Sequence, residues 1–584
     1  MRILRLHIRR FRGFDDLTIA PQKHLVLMGE PGAGRSDLIE GLRRLLAPDS
    51  TRFPLSEPTD FHAGDLTARA EIEAYLGDLE PEFQQLFMDH LEVWNTETHE
   101  LVPELDELDQ LQDAAHQWVV RVCYRARWDA VEKQGEHWVD YPKTSDADND
   151  DFEKVPRPVR ERIPFALVQP ATRPLDLGPR GPFRRVVDAA DGTDFPAALE
   201  ELNEGLKELA AHLSQGEQVS NALARVLESI SLLMEVSGAP AGDVIRFLPE
   251  GGALGAIIKS LGPAVDLLDG VGPLPLSRHG STMQALLAIS EAMWAAGSRS
   301  GIVVADDFGE GLDAASAHHL AATLRKTCGQ VWLSTRRSSA AEPFGPEELV
   351  RLTKSGRTRR AHHGEVPVSK ADRLAARHLH LQLLPAAASR SLIVVEGPHD
   401  RTALEAVARR LFLADLDVLP AAQGIAIIHA GAVDEAGGST VVPRLAIAAK
   451  RLGFRVVAVL DWDRDQGQAQ VALNVALAAS DAVVRLPEGA AIEVALLAGL
   501  ADDTIRTAIQ EVAGAFAVPL LGNFGQLSGN ALRATAIGFL KSSAGFHAQF
   551  VDALPEGVLP PLATELLRAA VLAARGGHDG HVQL

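Results

Sequence analysis

The start of the chain alternates between apolar and polar positions and then changes to a helical period. Alternation over residues 3–8 and an apolar run over 24–28 predict two short strands. A glycine-rich stretch follows, and apolar residues then recur at helical spacing, which predicts a helix over 36–46. The predicted order is strand, glycine-rich loop, helix. A further alternating segment over 68–76 predicts another strand.

A long helical pattern occupies the middle of the chain. Residues 195–236 place leucine, valine and isoleucine at helical spacing, so they predict long amphipathic helices. We interpret this segment as an inserted helical hairpin. Its apolar face either packs into the core or contacts a second copy of the chain.

The second half alternates apolar strands with helical stretches. A strand and a helix are predicted over 301–326 and a strand over 330–333, after which the basic, polar segment 351–377 is expected to connect two domains. Later apolar runs predict a separate parallel α/β sheet. The tail after Arg575 is expected to be loose. The four predicted strands of the second sheet are residues 392–395, 425–429, 455–460 and 482–486.

Length and composition narrow the class of protein. A chain of 584 residues exceeds the roughly 250–300 residues at which one hydrophobic core stops growing, so two or three domains are expected. The sequence contains no apolar run of the about eighteen residues that a membrane span needs, and its N-terminus lacks the pattern of a signal peptide. We therefore expect a cytoplasmic protein without a membrane partner. Cys123 and Cys328 lie far apart without a His/Cys cluster, so they predict neither a disulfide nor a zinc site.

The formal net charge of −21 argues against a protein that coats nucleic acid through overall positive charge. Any DNA contact is therefore expected to be local. Two basic clusters are candidates, although each is also typical of a solvated loop. They comprise Arg180, Arg184 and Arg185, and then Arg351, Lys354, Arg357, Arg359 and Arg360.

The glycine-rich stretch carries the first candidate chemistry. Residues 29–36 read GEPGAGRS and fit the phosphate-loop pattern GxxxxGK[ST] except at the lysine, which is Arg35. Glycines allow backbone N–H groups to turn towards a phosphate, and Ser36 is placed to offer its hydroxyl to Mg²⁺. Arginine keeps the charge but changes its geometry, so we expect ATP binding and leave hydrolysis open. The alternative is a glycine-rich turn without a ligand. The predicted nucleotide-binding residues here are Gly29, Gly32, Gly34, Arg35, Ser36 and Asp37.

Two later segments resemble other motifs of an ABC-type ATPase. Residues 302–307 read IVVADD and resemble a Walker B strand, in which Asp306 holds Mg²⁺ and Asp307 acts on the attacking water. Ser277 and Gly280 lie in a segment that resembles the ABC signature loop. In that family the signature loop completes a nucleotide site only across a dimer. The resemblance therefore implies a homodimer or a larger homo-oligomer.

With these motifs in order, residues 1–350 resemble ATPases of the SMC and RecF kind. Residues 311–313 read GLD and are similar to the D-loop of that family. Where the family has a switch histidine, residues 334–336 read STR. This departure, together with Arg35, leads us to expect slow or regulatory use of ATP.

Carboxylates follow two of the apolar strands predicted in the second half. Glu396 follows the first strand, with a glycine turn and Asp400 next, while Asp461, Asp463 and Asp465 follow a later strand in the sequence DWDRD. Ligands bind at the carboxyl ends of parallel strands. Clustered oxygen ligands suit Mg²⁺ or Mn²⁺, and two such ions activate water and stabilise the leaving oxygen of a phosphodiester. For DWDRD alone, a solvated acidic loop is an equal alternative.

These segments resemble the Toprim domain, whose pattern is a glutamate and glycine after one strand and DxD after a later strand. The resemblance implies that Glu396 is a catalytic metal ligand or general acid/base, that Asp461 and Asp463 are catalytic metal ligands, and that Asp400 is a ligand or a supporting carboxylate. Asp465 is not assigned.

An ABC-type ATPase followed by a Toprim domain is the architecture of the OLD (overcoming lysogenization defect) family nucleases, so the resemblance covers nearly the whole chain. In that family a later glutamate and a lysine complete the metal site. Glu493 is our choice for the metal-binding glutamate, with Glu488 as the alternative, and Lys541 is our choice for the catalytic lysine, which would stabilise phosphate charge. A solvated lysine at a helix end is the alternative for Lys541.

The resemblance implies an α/β protein in which an ABC-type ATPase domain with an inserted helical, dimerising segment precedes a parallel-sheet Toprim domain with C-terminal helices. The expected boundaries are 1–190 for the N-terminal part of the ATPase, 191–265 for the helical insertion, 266–355 for the rest of the ATPase, 356–388 for a linker, 389–500 for the Toprim domain and 501–584 for its helical part.

The expected function is an ATP-binding DNA endonuclease or nickase that uses Mg²⁺ or Mn²⁺, with two ions at the Toprim site, in anti-phage defence or DNA processing. Its expected partners are DNA, a second copy of the chain, and a helicase or another defence protein. The alternative is a nucleotide-controlled clamp or signalling ATPase with an inactive Toprim site. A topoisomerase or primase lacks support, because the three tyrosines all lie in the first domain and no primase zinc motif occurs.

Overall fold

The computed structural model describes residues 1–48, 57–102, 115–168, 187, 194–215, 264–265, 274–295, 301–431, 441–462 and 466–584. Asp463 and Asp465 lie outside the described residues. The basic cluster of Arg180, Arg184 and Arg185 and most of the helical insertion predicted over 191–265 lie outside them as well. Within that insertion, Asp194–Gln215 is a helix, as its spacing predicts.

The described residues form both strands and helices, with helices predominating between residues 492 and 574. None of the described helices combines the length and the apolar character needed to cross a membrane. The strands are β1 (Arg2–Phe11), β2 (Phe14–Ile19), β3 (Leu25–Gly29), β4 (Ala70–Gly77), β5 (Leu91–Asn95), β6 (Glu100–Leu101), β7 (His116–Asp129), β8 (Gln134–Asp140), β9 (Phe165–Val168), β10 (Ala264–Val265), β11 (Leu274–Pro275), β12 (Ile302–Ala305), β13 (Gln330–Ser334), β14 (Leu349–Ser355), β15 (Thr358–His363), β16 (Ser391–Val395), β17 (Ile425–His429), β18 (Arg455–Leu460), β19 (Ala482–Arg485) and β20 (Gly580–Gln583). The helices are α1 (Arg35–Leu46), α2 (Pro81–Leu86), α3 (Arg157–Arg162), α4 (Asp194–Gln215), α5 (Ser281–Ala295), α6 (Ala314–Thr327), α7 (Ser338–Ala341), α8 (Lys370–Leu383), α9 (Pro398–Leu413), α10 (Val442–Arg451), α11 (Gln466–Ala479), α12 (Ile492–Leu497), α13 (Asp502–Ala515), α14 (Gly529–Lys541), α15 (Ala544–Asp552) and α16 (Pro561–Ala574).

Two sheets enclose helix α1 in the first half of the chain. One is antiparallel, in the order β2-β1-β4-β7-β5-β6 with β8 paired to β7. The other has the order β15-β14-β3-β13-β12-β9 and is parallel except for β15. Buried leucines of α1, including Leu38 and Leu42, share one hydrophobic cluster with residues of both sheets. The predicted order of strand, glycine-rich loop and helix is therefore confirmed in β3 and α1.

The segment expected to connect the two domains is instead ordered secondary structure. Its first residues form the end of β14, and β15 pairs antiparallel with β14 to complete the edge of the six-stranded sheet. Residues 370–383 then form α8. Secondary structure therefore occupies much of the segment 356–388, and its role as a linker between two domains stays a prediction.

The third sheet is parallel throughout and follows the order β17-β16-β18-β19-β20. The four strands predicted from apolar runs are all present. The tail after Arg575, which was expected to be loose, is corrected: β20 pairs with β19 as the fifth strand. Val582 is half-buried and packs against the cluster beneath this sheet, so the end of the chain contributes to the core.

One hydrophobic cluster joins the six-stranded sheet to the five-stranded sheet. It contains Val26 and Leu333 from the former and Leu392 and Leu460 from the latter. Burial of apolar side chains in a shared cluster favours a fixed arrangement over two domains that move independently. The boundary between the two sheets is therefore part of the core.

Arg351 lies at this boundary and is fully buried, although the sequence assigned it to a basic surface cluster. Its guanidinium donates to the carbonyl oxygens of Ala387 at 3.0 Å and Leu452 at 2.8 Å, and to that of Ser389. It also stacks on Phe454, with its central carbon 3.6 Å from the ring centre. Arg351 therefore connects the two sheets inside the core and is not available to contact DNA.

The burial of His380 on α8 can be tested through the pH dependence of the free energy of unfolding. Burial, with a smaller contribution from Arg377, lowers the pKa of His380 to about 4, and a backbone hydrogen bond to Phe344 opposes the shift only in part. In the unfolded chain histidine titrates near 6.5. The unfolded state therefore binds more protons between these two values, and stability falls as the pH drops through this window. Between pH 7 and pH 5 we expect His380 to cost about 2 kcal/mol of folding free energy.

The measurement is urea unfolding at both pH values for the wild type and for His380→Leu. We expect the substitution to reduce the loss of stability on acidification by that amount, whatever its effect at pH 7. The exposed His378→Leu substitution on the same helix serves as the matched control. An identical pH dependence in the wild type and His380→Leu would contradict the assignment.

Candidate functional site

The loop between β3 and α1 has the backbone geometry of a phosphate-binding loop. Gly29, Gly32 and Gly34 all have positive φ, at 145°, 76° and 95°. A Cβ on Gly29 would collide with the carbonyl oxygen of Leu352 on the neighbouring strand, whereas a Cβ on Gly32 would meet open space. Helix α1 begins directly after Gly34 without a side chain capping its N-terminus, so its first N–H groups are available to an anion.

Ser36 and Asp306 meet across the parallel sheet. The Ser36 hydroxyl donates to Asp306 Oδ1 at 3.3 Å, which joins the phosphate loop to the end of β12. Burial and the neighbouring charge of Asp307 raise the pKa of Asp306, and the hydrogen bond from Ser36 opposes this shift. A carboxylate whose ionised form is disfavoured gains when a cation binds beside it. The pair therefore has the composition and position of a Mg²⁺ site.

Arg35 occupies the place of the usual lysine and is buried. Its Nη1 donates to the carbonyl oxygen of Thr335 at 2.8 Å. Burial and the charge of Arg336 lower the pKa of Arg35, while Asp307 and other nearby acids raise it. The guanidinium is thus held against the end of β13 with acidic groups nearby.

Asp307 and Arg336 form the rim of the same site. Asp307 has a φ of 44°, a left-handed conformation that is uncommon for a residue with a side chain. Its N–H donates to Asp306 Oδ1 at 3.0 Å, and its carboxylate lies 3.7 Å from Arg336. Such backbone strain concentrates at functional sites. Arg336 lies in the segment where the ABC resemblance lacks its switch histidine.

Asp37, predicted to bind nucleotide, is engaged in ion pairs. It lies 3.2 Å from Arg12 and also pairs with Arg359 on β15. The Arg359 side chain passes over Gly34 at the start of α1. Asp37 therefore positions two arginines beside the phosphate loop.

The signature-like segment presents its predicted residues to solvent. Ser277 and Gly280 are both exposed and precede helix α5. At the start of α5, the Thr282 hydroxyl donates to the carbonyl oxygen of Gly311 at 2.9 Å, and Ser281 makes a longer bond to the same atom. The signature-like and D-loop-like segments are thus joined in the described structure. Their exposed side is compatible with completion of a nucleotide site by a second chain.

The second candidate site lies at the carboxyl ends of β16 and β18, which are neighbouring parallel strands. Glu396 directly follows β16, and Asp461 directly follows β18. The backbone N–H of Asp461 donates to Glu396 Oε1 at 3.2 Å, which places these two residues side by side. Both are half-buried. The remaining acids of the DWDRD sequence, Asp463 among them, lie outside the described residues.

Asp400 is the buried carboxylate of this site. It lies in the first turn of α9 and accepts a hydrogen bond from the N–H of Gly397 at 2.7 Å. Burial raises the pKa of Asp400 to about 7; the Gly397 hydrogen bond opposes the shift, while the charges of Glu396 and Glu493 add to it. Glu396 and Glu493 thus disfavour the ionised form of Asp400, and a cation bound among these carboxylates would offset that repulsion.

Glu493, in the first turn of α12, is nearly fully buried beside this group. Its Oε1 lies 3.1 Å from His547 Nε2, and its Oε2 lies 3.8 Å from the half-exposed Lys541. Burial opposes ionisation, but the hydrogen bond from His547 and the charge of Lys541 lower the pKa of Glu493 overall. Glu488, the alternative ligand, is exposed and accepts a hydrogen bond from Gln466. The geometry therefore favours Glu493.

Several residues of these sites carried no signal that the sequence reasoning used. Glu30, within the phosphate loop, is buried and accepts from the Lys354 N–H at 2.6 Å and from Arg390 at 3.0 Å. Arg390 directly precedes β16, the strand that leads to Glu396. His399 and His547 flank the carboxylates, with their Nδ1 atoms 3.1 Å apart. The position of His399 next to Asp400 in the sequence could have identified it as a site residue. Glu30, Arg390 and His547 reach these sites only through the fold.

No family model matches the chain, and no curated protein matches it. The SMC head domain from Thermotoga maritima is similar at 12% identity over 63% of this chain and 100% of that chain, with a TM-score of 0.29. An SMC head bound to the C-terminal domain of ScpA from Pyrococcus furiosus is similar at 11% identity over 62% and 95%, with a TM-score of 0.33. Because the TM-scores and identities are this low, no residue role is inferred for this chain from these structures.

Proposed function

We propose that this protein binds ATP at the phosphate loop and cleaves phosphodiester bonds of DNA at the carboxylate site, with Mg²⁺ or Mn²⁺ as cofactor. The observation that carries the proposal is the hydrogen bond between the Asp461 N–H and Glu396, which places acids from two parallel strand ends beside buried Asp400. By resemblance to the OLD family, we propose that this activity serves anti-phage defence or DNA processing.

The donor set of the carboxylate site fits hard divalent cations, since it consists of carboxylate oxygens. Glu396, Asp400, Asp461 and Glu493 would hold the ions, together with Asp463 from the sequence pattern. Bound there, two divalent ions supply an activated water and stabilise the leaving oxygen of the phosphodiester.

The chain's own residues add positioning and charge. The Asp461 N–H fixes the Glu396 carboxylate at the strand ends. Lys541, half-exposed at the end of α14 and 3.8 Å from Glu493, supplies a positive charge at the rim, where a DNA phosphate would approach. The net charge of −21 makes such local attraction necessary for DNA binding.

The nucleotide half is proposed to control the nuclease half. Glu30 of the phosphate loop contacts Arg390 next to β16, and Glu30 also has a favourable electrostatic interaction with buried Arg351. A phosphate that reorganises the loop would therefore act on groups that hold the base of the nuclease sheet. A homodimer joined through the signature-like segment, and a helicase or another defence partner, complete the proposed assembly.

Removal of the Ser36 hydroxyl is expected to weaken binding of Mg²⁺-ATP. Ser36→Ala loses the donor to Asp306 and the proposed magnesium ligand, and a hydrogen bond to a charged group contributes about 1.5–3 kcal/mol. The expected loss of affinity is about ten- to a hundredfold. Titration with a fluorescent ATP analogue, in Mg²⁺ and in EDTA, measures it. The exposed Ser355→Ala substitution is the control, and equal affinities for the two variants would place the nucleotide elsewhere.

The function is tested by incubating the purified chain with supercoiled plasmid in Mg²⁺, in Mn²⁺ and in EDTA, each with and without ATP. We expect nicked or linear plasmid with either metal and none in EDTA, and a change of rate when ATP is added. Intact plasmid under every condition, together with tight ATP-dependent DNA binding, would instead favour a nucleotide-controlled clamp.

A further inference from the structure

Behind the carboxylate site, three helices bring together two histidines and a glutamate. Glu493 lies in the first turn of α12, His399 in the first turn of α9, and His547 in α15. One side-chain nitrogen or oxygen atom from each of the three residues lies within 4.8 Å of those from the other two. His547 is fully buried and His399 is half-buried, so the group is reached from the side of His399.

The hydrogen bonds in this group determine where its lone pairs point. A carboxylate only accepts, so the 3.1 Å contact between His547 Nε2 and Glu493 Oε1 requires a proton on Nε2. In the neutral imidazole the lone pair is then on Nδ1. That atom faces His399 Nδ1 at 3.1 Å. Either a shared proton or a shared cation is needed between two ring nitrogens at this distance.

The separation of the nitrogens suits a shared metal ion. Two imidazoles on one tetrahedral ion of the zinc type, each bonded at about 2.05 Å, have nitrogens about 3.3 Å apart. Histidines that bind metal ions typically donate their other ring N–H to a carboxylate, which fixes the tautomer and raises the basicity of the ligand nitrogen. Glu493 has this relation to His547.

We propose that His399 and His547 bind one transition-metal ion of the zinc type through their Nδ1 atoms, with Glu493 as the carboxylate that orients His547. Imidazole ligands prefer such ions, whereas Mg²⁺ prefers oxygen. The buried carboxylate of Glu493 offsets part of the charge of the ion. This site shares Glu493 with the cation site of the proposed nuclease but needs neither Glu396 nor Asp461, so it exists whether or not the chain cleaves DNA.

The test uses Co²⁺ as a spectroscopic substitute for zinc on the full-length chain after treatment with EDTA and dialysis. Cobalt bound by nitrogen ligands in a tetrahedral site absorbs visible light strongly. We expect absorption that saturates at one cobalt per chain, disappears when Zn²⁺ is added, and survives excess Mg²⁺. A wild-type chain without protein-dependent cobalt absorption would overturn the proposal and leave a plain histidine–histidine hydrogen bond.

Variants locate the metal. His399→Gln, at a half-buried position, is expected to weaken cobalt binding at least about tenfold, and His547→Gln to do the same, with circular dichroism as the check on folding. His318→Gln, an exposed histidine on α6, is the control and is expected to bind cobalt as the wild type does. Asp461→Asn should keep the cobalt absorption even where DNA cleavage is lost, so the two proposals fail separately. Undiminished absorption in a folded His399→Gln chain would overturn the site.

Discussion

Glu396→Gln is expected to lower the rate of metal-dependent DNA cleavage by about a hundred- to a thousandfold, equivalent to about 3–4 kcal/mol of transition-state stabilisation. Glutamine keeps the size of the side chain and an oxygen that accepts from the Asp461 N–H. It removes one negative charge from a site where Asp400 lies nearby. The loss therefore reports on the charge that holds the cation and not on packing.

The cleavage rate is measured as the initial rate of nicking of supercoiled plasmid at saturating Mn²⁺. Glu488→Gln is the matched control, since Glu488 lies on the loop before α12 but is exposed and bonded to Gln466. We expect it to cleave at the wild-type rate. Both variants should bind ATP as the wild type does. Equal rates for wild type and Glu396→Gln would contradict the assignment of Glu396, and loss of cleavage only in Glu488→Gln would assign the later glutamate to Glu488.

Arg351→Met is expected to destabilise the chain by about 3–5 kcal/mol, the range for removing one partner of a buried polar group. Methionine fills part of the volume but leaves the carbonyl oxygens of Ala387, Leu452 and Ser389 buried without their donor. It also removes one of the positive charges that interact with the buried carboxylate of Glu30, which keeps its ion pair with Arg390. Both losses fall at the junction of the two sheets.

Urea unfolding followed by tryptophan fluorescence measures this change. Arg357→Met, an exposed arginine in the turn between β14 and β15, is the matched control, and its stability is expected to remain within about 0.5 kcal/mol of the wild type. If Arg351→Met unfolds at the same urea concentration as the control, Arg351 does not hold the sheets together.

The strands and the order of the acids were predictable because their causes are local. Strand β16 reads SLIVV and is buried throughout. Its residues are apolar in succession because both faces of the strand are covered. Parallel strands end at one edge of a sheet, so acids that follow two of them can meet. The structure places β16 beside β18, and this adjacency brings Glu396 and Asp461 together.

Arg351 shows where charge misled the sequence reasoning. Together with the basic residues that follow it in the sequence, Arg351 is interpreted as part of a surface cluster. Its sequence neighbours Leu349, Val350 and Leu352 are nevertheless all buried. The apolar context of a strand was therefore the better local guide than the charge. The sequence does not show which groups offset the cost of burying the guanidinium. They are three carbonyl oxygens and the ring of Phe454, all from the second half of the chain.

The histidine group depends on packing between distant helices. His399 and His547 are far apart in the chain and meet because α9 packs against α15. His547 sits in an apolar helix whose pattern predicts core, with no motif around it. Tertiary packing alone determines that its ring bridges Glu493 and His399.

The central claim is that the carboxylates at the ends of β16 and β18 hold divalent cations, and anomalous diffraction from crystals soaked in Mn²⁺ tests it most directly. The account predicts manganese within about 2.0–2.4 Å of carboxylate oxygens of Glu396 and Asp461, lost from crystals of Glu396→Gln. Manganese absent from this edge of the sheet, under conditions in which the same chain cleaves plasmid, would contradict it.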